Sequence, residues 1–321
     1  MPAPIGLIAN PASGKDIRRL VANASTSTLN DKVTAVRRVL IGAAQCGAER
    51  FVVLSDAPRI VRRAAEPVEL DHLVEELVAP RHHDVRDTIT AARAMGEVGC
   101  AAVVVLGGDG TNRAVALGWP SAPVIPISTG TNNAFPLTVE PTLAGVAAGV
   151  LATGVVSLGE VGEPAPVVHL EIEGEGTDLA VIDAVLLVGG LVGSMLLFES
   201  TRLAGAVVSR ASSSALGMCG VAGVLHPDDP GPVAIAFGEG RDLSVPLAPG
   251  AFVMVSVERA TKLDLGEVVE WTGPGILAFD GERSRKLADG QRAWLRVERD
   301  GPIVVDVVKA VGLGAARGAF G

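Results

Sequence analysis

Along the first half of the chain, apolar residues fall into short aliphatic runs separated by stretches where they recur every three or four positions. Ile5 to Ala9, Arg50 to Ser55, Ala101 to Leu106 and Pro123 to Ile127 have strand length. Between and after them, Asp31 to Gln45 carries Val33, Val36, Val39 and Leu40 near helical spacing. Arg86 to Val98, closed by Gly99, and Pro141 to Ala152 also read as helices. Strand and helix in alternation predict crossover units on a parallel sheet.

The second half carries a different rhythm. Val155 to Val161 reads as a strand, and 162 to 166, Gly-Glu-Pro-Ala-Pro, as a linker. The boundary placed there divides the chain into 1–162 and 163–321, with the C-terminal segment expected to pack back on the first domain. Beyond it, strand-length runs follow at Val167 to Glu173, Leu179 to Val188, Pro232 to Phe237, Ala251 to Glu258, Ile276 to Asp280, Arg292 to Glu298 and Ile303 to Val308, punctuated by Gly, Pro and Asp. An antiparallel, sandwich-like β domain is expected. Ser209 to Leu225 is rich in Gly, Ala and Ser and is compatible with helix or loop.

Composition narrows the picture. At 321 residues, one hydrophobic core has usually stopped growing, so two domains agree with the pattern. With 48% hydrophobic residues, 3% aromatics and no Tyr, the core is built from Ala, Val, Leu and Ile. A net charge of -9 argues against a protein that coats nucleic acid or anionic lipid, so any phosphate is bound locally. Cys46, Cys100 and Cys219 have no CxxC or Cys/His pairing and read as buried thiols in a reducing compartment. The start of the chain lacks a basic segment followed by an apolar one, and a cytoplasmic protein is expected. The longest uncharged apolar run, Ala184 to Phe198, is shorter than a bilayer requires and reads as core.

Chemistry concentrates in loops after strands. Gly107-Gly108-Asp109-Gly110-Thr111-Asn112-Arg113 directly follows an uncharged strand, where ligand crevices open in α/β sheets. Missing Cβ atoms let backbone N–H groups approach phosphate oxygens, and Asp109 adds a carboxylate for a metal or a hydroxyl proton. The bland alternative is a glycine turn with an Asp cap. At the end of the next strand, Ser128-Thr129-Gly130-Thr131-Asn132-Asn133 offers hydroxyls and amides that could face the same ligand. Lys15 after Ser13-Gly14 is not a Walker A lysine, because Ala9 stands at the first glycine position and Asp16 replaces the Ser/Thr that binds magnesium. His82-His83-Asp84 reads as a solvated loop.

Gly-Gly-Asp-Gly-Thr at 107–111, Gly-Thr-Asn-Asn at 130–133 and the first loop, Asn10-Pro11-Ala12-Ser13-Gly14-Lys15, together resemble the superfamily of NAD kinases and diacylglycerol/sphingosine-type lipid kinases. Within it, their order and wording look closest to the ATP-NAD kinase-like proteins associated with acetoin catabolism. The resemblance implies a Rossmann-like nucleotide-binding domain, a β-rich second domain and a site between them. Asp280-Gly281-Glu282 looks like the Asp-Gly-Glu element of the lipid kinase branch, although Asp-Gly is also a hairpin signal. Ala180-Val181-Ile182-Asp183 resembles an NAD kinase stretch, but Ile182 replaces the Asn that would contact nucleotide. Asn133 stands where lipid kinases carry Asp. Asp183 reads equally as a buried, hydrogen-bonded carboxylate.

The resemblance thus implies an ATP-dependent kinase, with Mg²⁺, that phosphorylates a hydroxyl, foremost the 2'-hydroxyl of NAD(H). Asp109 is the candidate catalytic residue. Asn10, Ser13, Lys15, Gly107, Gly108, Gly110, Thr111, Asn112, Thr129, Gly130, Thr131, Asn132 and Asn133 are candidates for holding nucleotide. Asp183, Asp280 and Glu282 would complete the site, with Arg202, Arg210, Arg283, Arg285 and Lys286 as candidate phosphate contacts. A lipid or small-alcohol kinase and a non-catalytic nucleotide sensor stand as alternatives, and ATP and polyphosphate both remain candidate donors. No nucleic-acid partner and no transmembrane segment are expected, and related kinases commonly form homo-oligomers.

Overall fold

The computed structural model describes residues 1–13, 27–54, 58–129, 133–136, 138–189, 200–280 and 283–320. Its N-terminal part is an α/β domain made of β1 (Ile5–Ala9), α1 (Leu29–Gln45), β2 (Phe51–Val53), α2 (Ile60–Ala65), β3 (Val74–Glu76), α3 (Val85–Val98), β4 (Ala102–Gly107), α4 (Asp109–Gly118), β5 (Pro123–Ser128), α5 (Pro141–Ala152), α6 (Leu158–Val161) and β6 (Gly162–Pro164). The C-terminal part is β-rich, with β7 (Val167–Ile172), β8 (Gly176–Ala180), β9 (Asp183–Leu187), β10 (Leu203–Val208), α7 (Met218–Leu225), β11 (Val233–Ala248), β12 (Ala251–Lys262), β13 (Val269–Thr272), β14 (Gly275–Phe279), β15 (Arg283–Leu287) and β16 (Arg292–Glu298). β17 (Ile303–Val305) and α8 (Val307–Ala316) end the chain.

The first sheet has the order β3-β2-β1-β4-β5-β17-β6. β1 to β5 run parallel, β17 extends the sheet in the same direction beside β5, and β6 closes it antiparallel. Both faces are covered along its centre, which is why β1, β2 and β4 are apolar throughout, whereas the short edge strands β3 and β6 carry Glu75, Glu76 and Glu163. Ile5, Leu7, Val104 and Leu106 pack with α1 and α5, whereas Ile8, Val103 and Val105 pack with α3 and α4. Chain order reverses between β1 and β4, and such a switch point leaves a crevice at the carboxyl ends of the strands. The exits of β1, β4 and β5 therefore lie side by side.

α1 and α5 cross so tightly that a Cβ on Gly145 would fall 2.1 Å from the Val39 carbonyl oxygen and one on Gly42 2.2 Å from that of Thr142. Glycine is required there for backbone contact.

In the second part, a six-stranded sheet (β12-β11-β10-β9-β14-β15) packs on a four-stranded one (β13-β16-β7-β8). Val168, Leu170 and Leu295 from one sheet and Ala184, Leu277 and Phe279 from the other form an aliphatic sandwich core. A second core runs continuously from Val103 and Val115 of the α/β domain to Val181, Ile182 and Val185 of the β domain, so the two domains share buried surface.

Four sequence expectations are corrected. Residues 162–166 are not a free linker, because 162–164 form β6, which pairs antiparallel with β17 at the edge of the first sheet. Residues 155–161 form a turn and α6, because Ser157 and Glu160 make a reciprocal capping box that starts a helix. The run 179–188 is two strands, broken at Val181 and Ile182, whose N–H groups turn to Asp280. Residues 303–308 are a three-residue strand and the start of α8, which Asp306 caps by accepting from the Lys309 N–H. Ser209 to Leu225, left open above, contains α7 in its last eight residues.

Candidate active site

The site is assembled at the switch point. In adjacent register, Ala9 pairs with Leu106 and Gly107 with Ser128, placing the three loops shoulder to shoulder. They are also bonded to one another. Asn10 donates its side-chain amide to the Thr111 hydroxyl at 2.9 Å, Ser13 and Thr129 share a hydroxyl hydrogen bond at 2.9 Å, and the Thr129 N–H donates to the Gly107 carbonyl at 3.2 Å. Within the first loop, Asn10 Oδ1 accepts from the Ala12 N–H and the Ser13 hydroxyl donates to the Asn10 carbonyl.

Gly107 owes its identity to packing. A Cβ there would stand 2.5 Å from the Thr111 Cβ and hydroxyl oxygen, displacing the group that Asn10 holds. Gly108 precedes α4 and brings no side-chain cap, so the first helical turn, with Asp109 and Gly110, presents amide N–H groups of the kind that receive an anion. Asn112 is buried, donates to the Gly108 carbonyl at 3.0 Å, and keeps an amide oxygen that accepts no hydrogen bond from the described residues.

Lys32 gives the first loop its shape. It lies on α1, is 1% exposed, and donates to the carbonyls of Asn10 (2.8 Å), Pro11 (3.1 Å) and Ser13 (2.7 Å). A buried ammonium is tolerated only when its donors are used, and here three of them gather the loop's carbonyls on the α1 side. Nothing in the local pattern singles out Lys32, since a lysine on a helix normally lies in water.

Asp109 opens α4, and its carboxylate accepts from the Phe135 N–H at 2.9 Å and the Ala134 N–H at 3.2 Å. Asn133 braces the same turn by donating to the Ser128 hydroxyl at 2.6 Å. From the β domain, Arg210 donates to the Ala134 carbonyl and lies 5.8 Å from the centre of the Phe135 ring. Arg210, a candidate phosphate contact by sequence, thus engages the protein itself.

Two further acids meet Asp109 across the domain junction. Asp280 follows β14, with a left-handed φ of 51°, and its carboxyl accepts from Val181 (3.1 Å) and Ile182 (2.8 Å). Its own N–H donates to the Asp183 carbonyl. Burial, followed by the negative charges of Asp183 and Asp109, pushes the Asp280 carboxyl well above its usual range, against the smaller opposing effect of the two N–H donors. Among these acids, Asp280 is the one whose carboxyl its burial and its neighbours' charges push toward the protonated form. The same surroundings raise the buried Cys219 thiol.

Arg113, the last residue of the glycine motif, is 1% exposed and leaves the α/β domain entirely. It donates to the Leu179 carbonyl and to Asp178 on β8, and lies 5.7 Å from the Phe279 ring centre. Arg285, another candidate phosphate contact, reaches Asp178 at 3.8 Å. His83 and Asp84 precede α3, where Asp84 caps the helix and pairs with Arg86, which helps hold its carboxyl down at about 2. Lys15, Gly130, Thr131, Asn132, Glu282 and the segment 190–199 lie outside the described residues.

The amide-rich start of α4 suits an anion. Among the described residues no three acidic, His or Cys side chains form a metal cage, and the carboxyls of Asp109 and Asp280 both accept backbone N–H groups. No helix among the described residues is long and apolar enough to cross a membrane.

A doubly wound α/β domain with its glycine loop at the switch point, joined to a β sandwich, is an NAD kinase-like fold. Residues 5–155 match the ATP-NAD kinase N-terminal domain, and residues 166–300 match the Acetoin catabolism protein X C-terminal domain. Acetoin catabolism protein X of Cupriavidus necator is 38% identical over 299 residues, covering 87% of this chain and 83% of that protein. The chain belongs to the acetoin catabolism protein X family. Among solved structures, yeast NADH kinase complexed with NADH shares the fold at a TM-score of 0.53, with 13% identity and coverage of 98% of this chain and 87% of that one. An NAD kinase from Archaeoglobus fulgidus in complex with ATP, 15% identical, covers 84% of this chain and 98% of its own at a TM-score of 0.44.

Proposed function

We propose that this protein is an ATP-dependent phosphotransferase that acts on the hydroxyl of a small molecule, with NAD(H) the leading acceptor and NADP(H) its product. The carrying observation is Asp109, placed at the mouth of the switch-point crevice, on the first turn of a helix, with its carboxylate oriented by two backbone amides. In this reading, the loops at 10–13, 107–112 and 128–133 hold the nucleotide, and Asp109 accepts the acceptor's hydroxyl proton as the phosphoryl group transfers. The upward push on the Asp280 carboxyl favours its neutral form, which lessens the negative charge that a phosphate meets at the domain junction. Mg²⁺, held through the phosphates of a nucleotide bound at the 107–112 loop, would supply charge neutralisation.

A coupled assay with ATP, Mg²⁺ and NAD⁺, monitored for NADP⁺, tests the proposal. Turnover in the wild type that falls at least a hundredfold in Asp109→Ala, with the fold intact, supports both reaction and role. Undiminished turnover in Asp109→Asn removes Asp109 as the proton acceptor. Activity only toward a detergent-dispersed lipid alcohol would keep the chemistry and change the acceptor.

A second reading is a nucleotide sensor without turnover. It is favoured by Ile182, whose buried side chain offers no amide to a nucleotide, and by Asn133, which brings no carboxylate and spends its amide on Ser128. Thermal stabilisation by ATP or NAD⁺ with no product from any acceptor supports it.

A further inference from the structure

We propose that Arg210 of the β domain is a positioning residue for Asp109, acting through the single peptide that joins Ala134 to Phe135. This rests on the phosphotransferase reading for its kinetic consequence, though not for its geometry. The Ala134 carbonyl and the Phe135 N–H belong to one planar trans peptide and point in opposite directions. Arg210 donates to that carbonyl, and the N–H at the other end donates to Asp109 at 2.9 Å. Fixing one end of a rigid plane fixes the other, so the guanidinium sets where the shorter of the carboxylate's two donors points, the Ala134 N–H at 3.2 Å belonging to the preceding peptide. Its positive charge also polarises the peptide toward a stronger N–H donor.

Both ends of this link are anchored. Phe135 is 3% exposed and lies beside the guanidinium, which restricts rotation of the turn. On the other side, Ser209 is buried, with its N–H on the Ile182 carbonyl and its hydroxyl on the Val181 carbonyl. Those two residues donate the N–H groups that hold Asp280. Arg210 therefore springs from the backbone that builds the β-domain half of the acidic cluster, and it orders the α/β-domain half. The reacting carboxylate is held in place only when the two domains are correctly seated.

The test uses Arg210→Met and Arg210→Lys in the full chain, with kcat and KM from the coupled assay and nucleotide affinity from calorimetry. The proposal expects Arg210→Met to lower kcat about ten- to a hundredfold while nucleotide affinity stays within about threefold, since misplacement of a reacting group acts on the chemical step. Arg210→Lys, which keeps a donor for the carbonyl, recovers part of that loss. In Asp109→Ala, adding Arg210→Met costs nothing more. Unchanged kcat in Arg210→Met overturns the proposal, as does a tenfold loss of nucleotide affinity with kcat unchanged, which would make Arg210 a direct phosphate contact. If the wild type turns over no acceptor, the phosphotransferase reading fails separately, and amide hydrogen exchange decides the positioning. Faster exchange at Phe135 in Arg210→Met, restored in Arg210→Lys, supports the link, and unchanged exchange refutes it.

Discussion

The side-chain amide of Asn10 donates to the Thr111 hydroxyl at 2.9 Å, joining the exit of the first strand to the first turn of α4 across 101 residues of chain. Through this bond two of the three loops at the switch point form one surface. Thr111→Val keeps the shape and removes the acceptor, leaving the partly buried Asn10 amide without it. Expected are a loss of about 1–2 kcal/mol in urea denaturation and weaker ATP binding by calorimetry. Unaltered ATP affinity would mean that the loops bind independently.

Lys32→Met removes a buried cation and leaves three loop carbonyls short of a donor. The first loop loses its frame while α1 keeps a residue of good helix propensity. ATP affinity should fall about tenfold or more, with stability reduced by about 1–3 kcal/mol. Lys32→Arg, too long for the same three acceptors, should restore little.

Arg113→Met leaves Asp178 with the Leu179 N–H and the more distant Arg285 as its described partners, and removes the strut between α4 and β8. Loss of one partner from a buried pair costs about 3–5 kcal/mol, readable in chemical denaturation. Pairing it with Asp178→Leu should recover much of the loss, because no charge is then stranded. Equal destabilisation in the single and double variants would place the effect in packing against Phe279.

Asp280 makes stability fall as pH rises. A carboxyl whose folded pKa is raised above its usual value of 3.8 contributes stability that is present below that value and is lost as pH climbs through the folded one. Asp280→Asn removes the titration, at a constant cost of about 1–3 kcal/mol for setting an amide NH₂ against backbone N–H groups. The difference in unfolding free energy between wild type and variant should therefore shrink as pH rises above about 4. A difference independent of pH would mean that Asp280 does not titrate on folding.

Gly145→Ala should destabilise the α/β domain by about 1–3 kcal/mol or more despite its better helix propensity, since the added methyl meets the Val39 carbonyl. Thermal denaturation gives the sign. A stabilised variant would contradict the close crossing of α1 and α5.

Much of this organisation was legible before any coordinates, for local reasons. Pro141–Ala152 and Arg292–Glu298 have the bounds that their periodicity and flanking residues predict. The errors were local too, and their corrections lie in cap chemistry that hydrophobicity obscured. Val155, Val156 and Val161 look like a strand, yet Ser157 and Glu160 carry a capping box, and Asp306 starts a helix inside an aliphatic run.

The alternation of runs and the glycine loops after strands were determined by the sequence itself, because burial on both faces of a parallel sheet and tight turns at strand ends leave local marks. Tertiary structure alone decided which loops meet, and that Lys32, Arg113 and Arg210 serve the interior. A charged side chain is buried only where its partners converge. Those partners lie 19 to 22 residues from Lys32, 65 and 66 from Arg113, and 76 from Arg210. No local period carries that information, since the free energy that keeps a charge out of water comes from donors and acceptors that only the folded chain brings together.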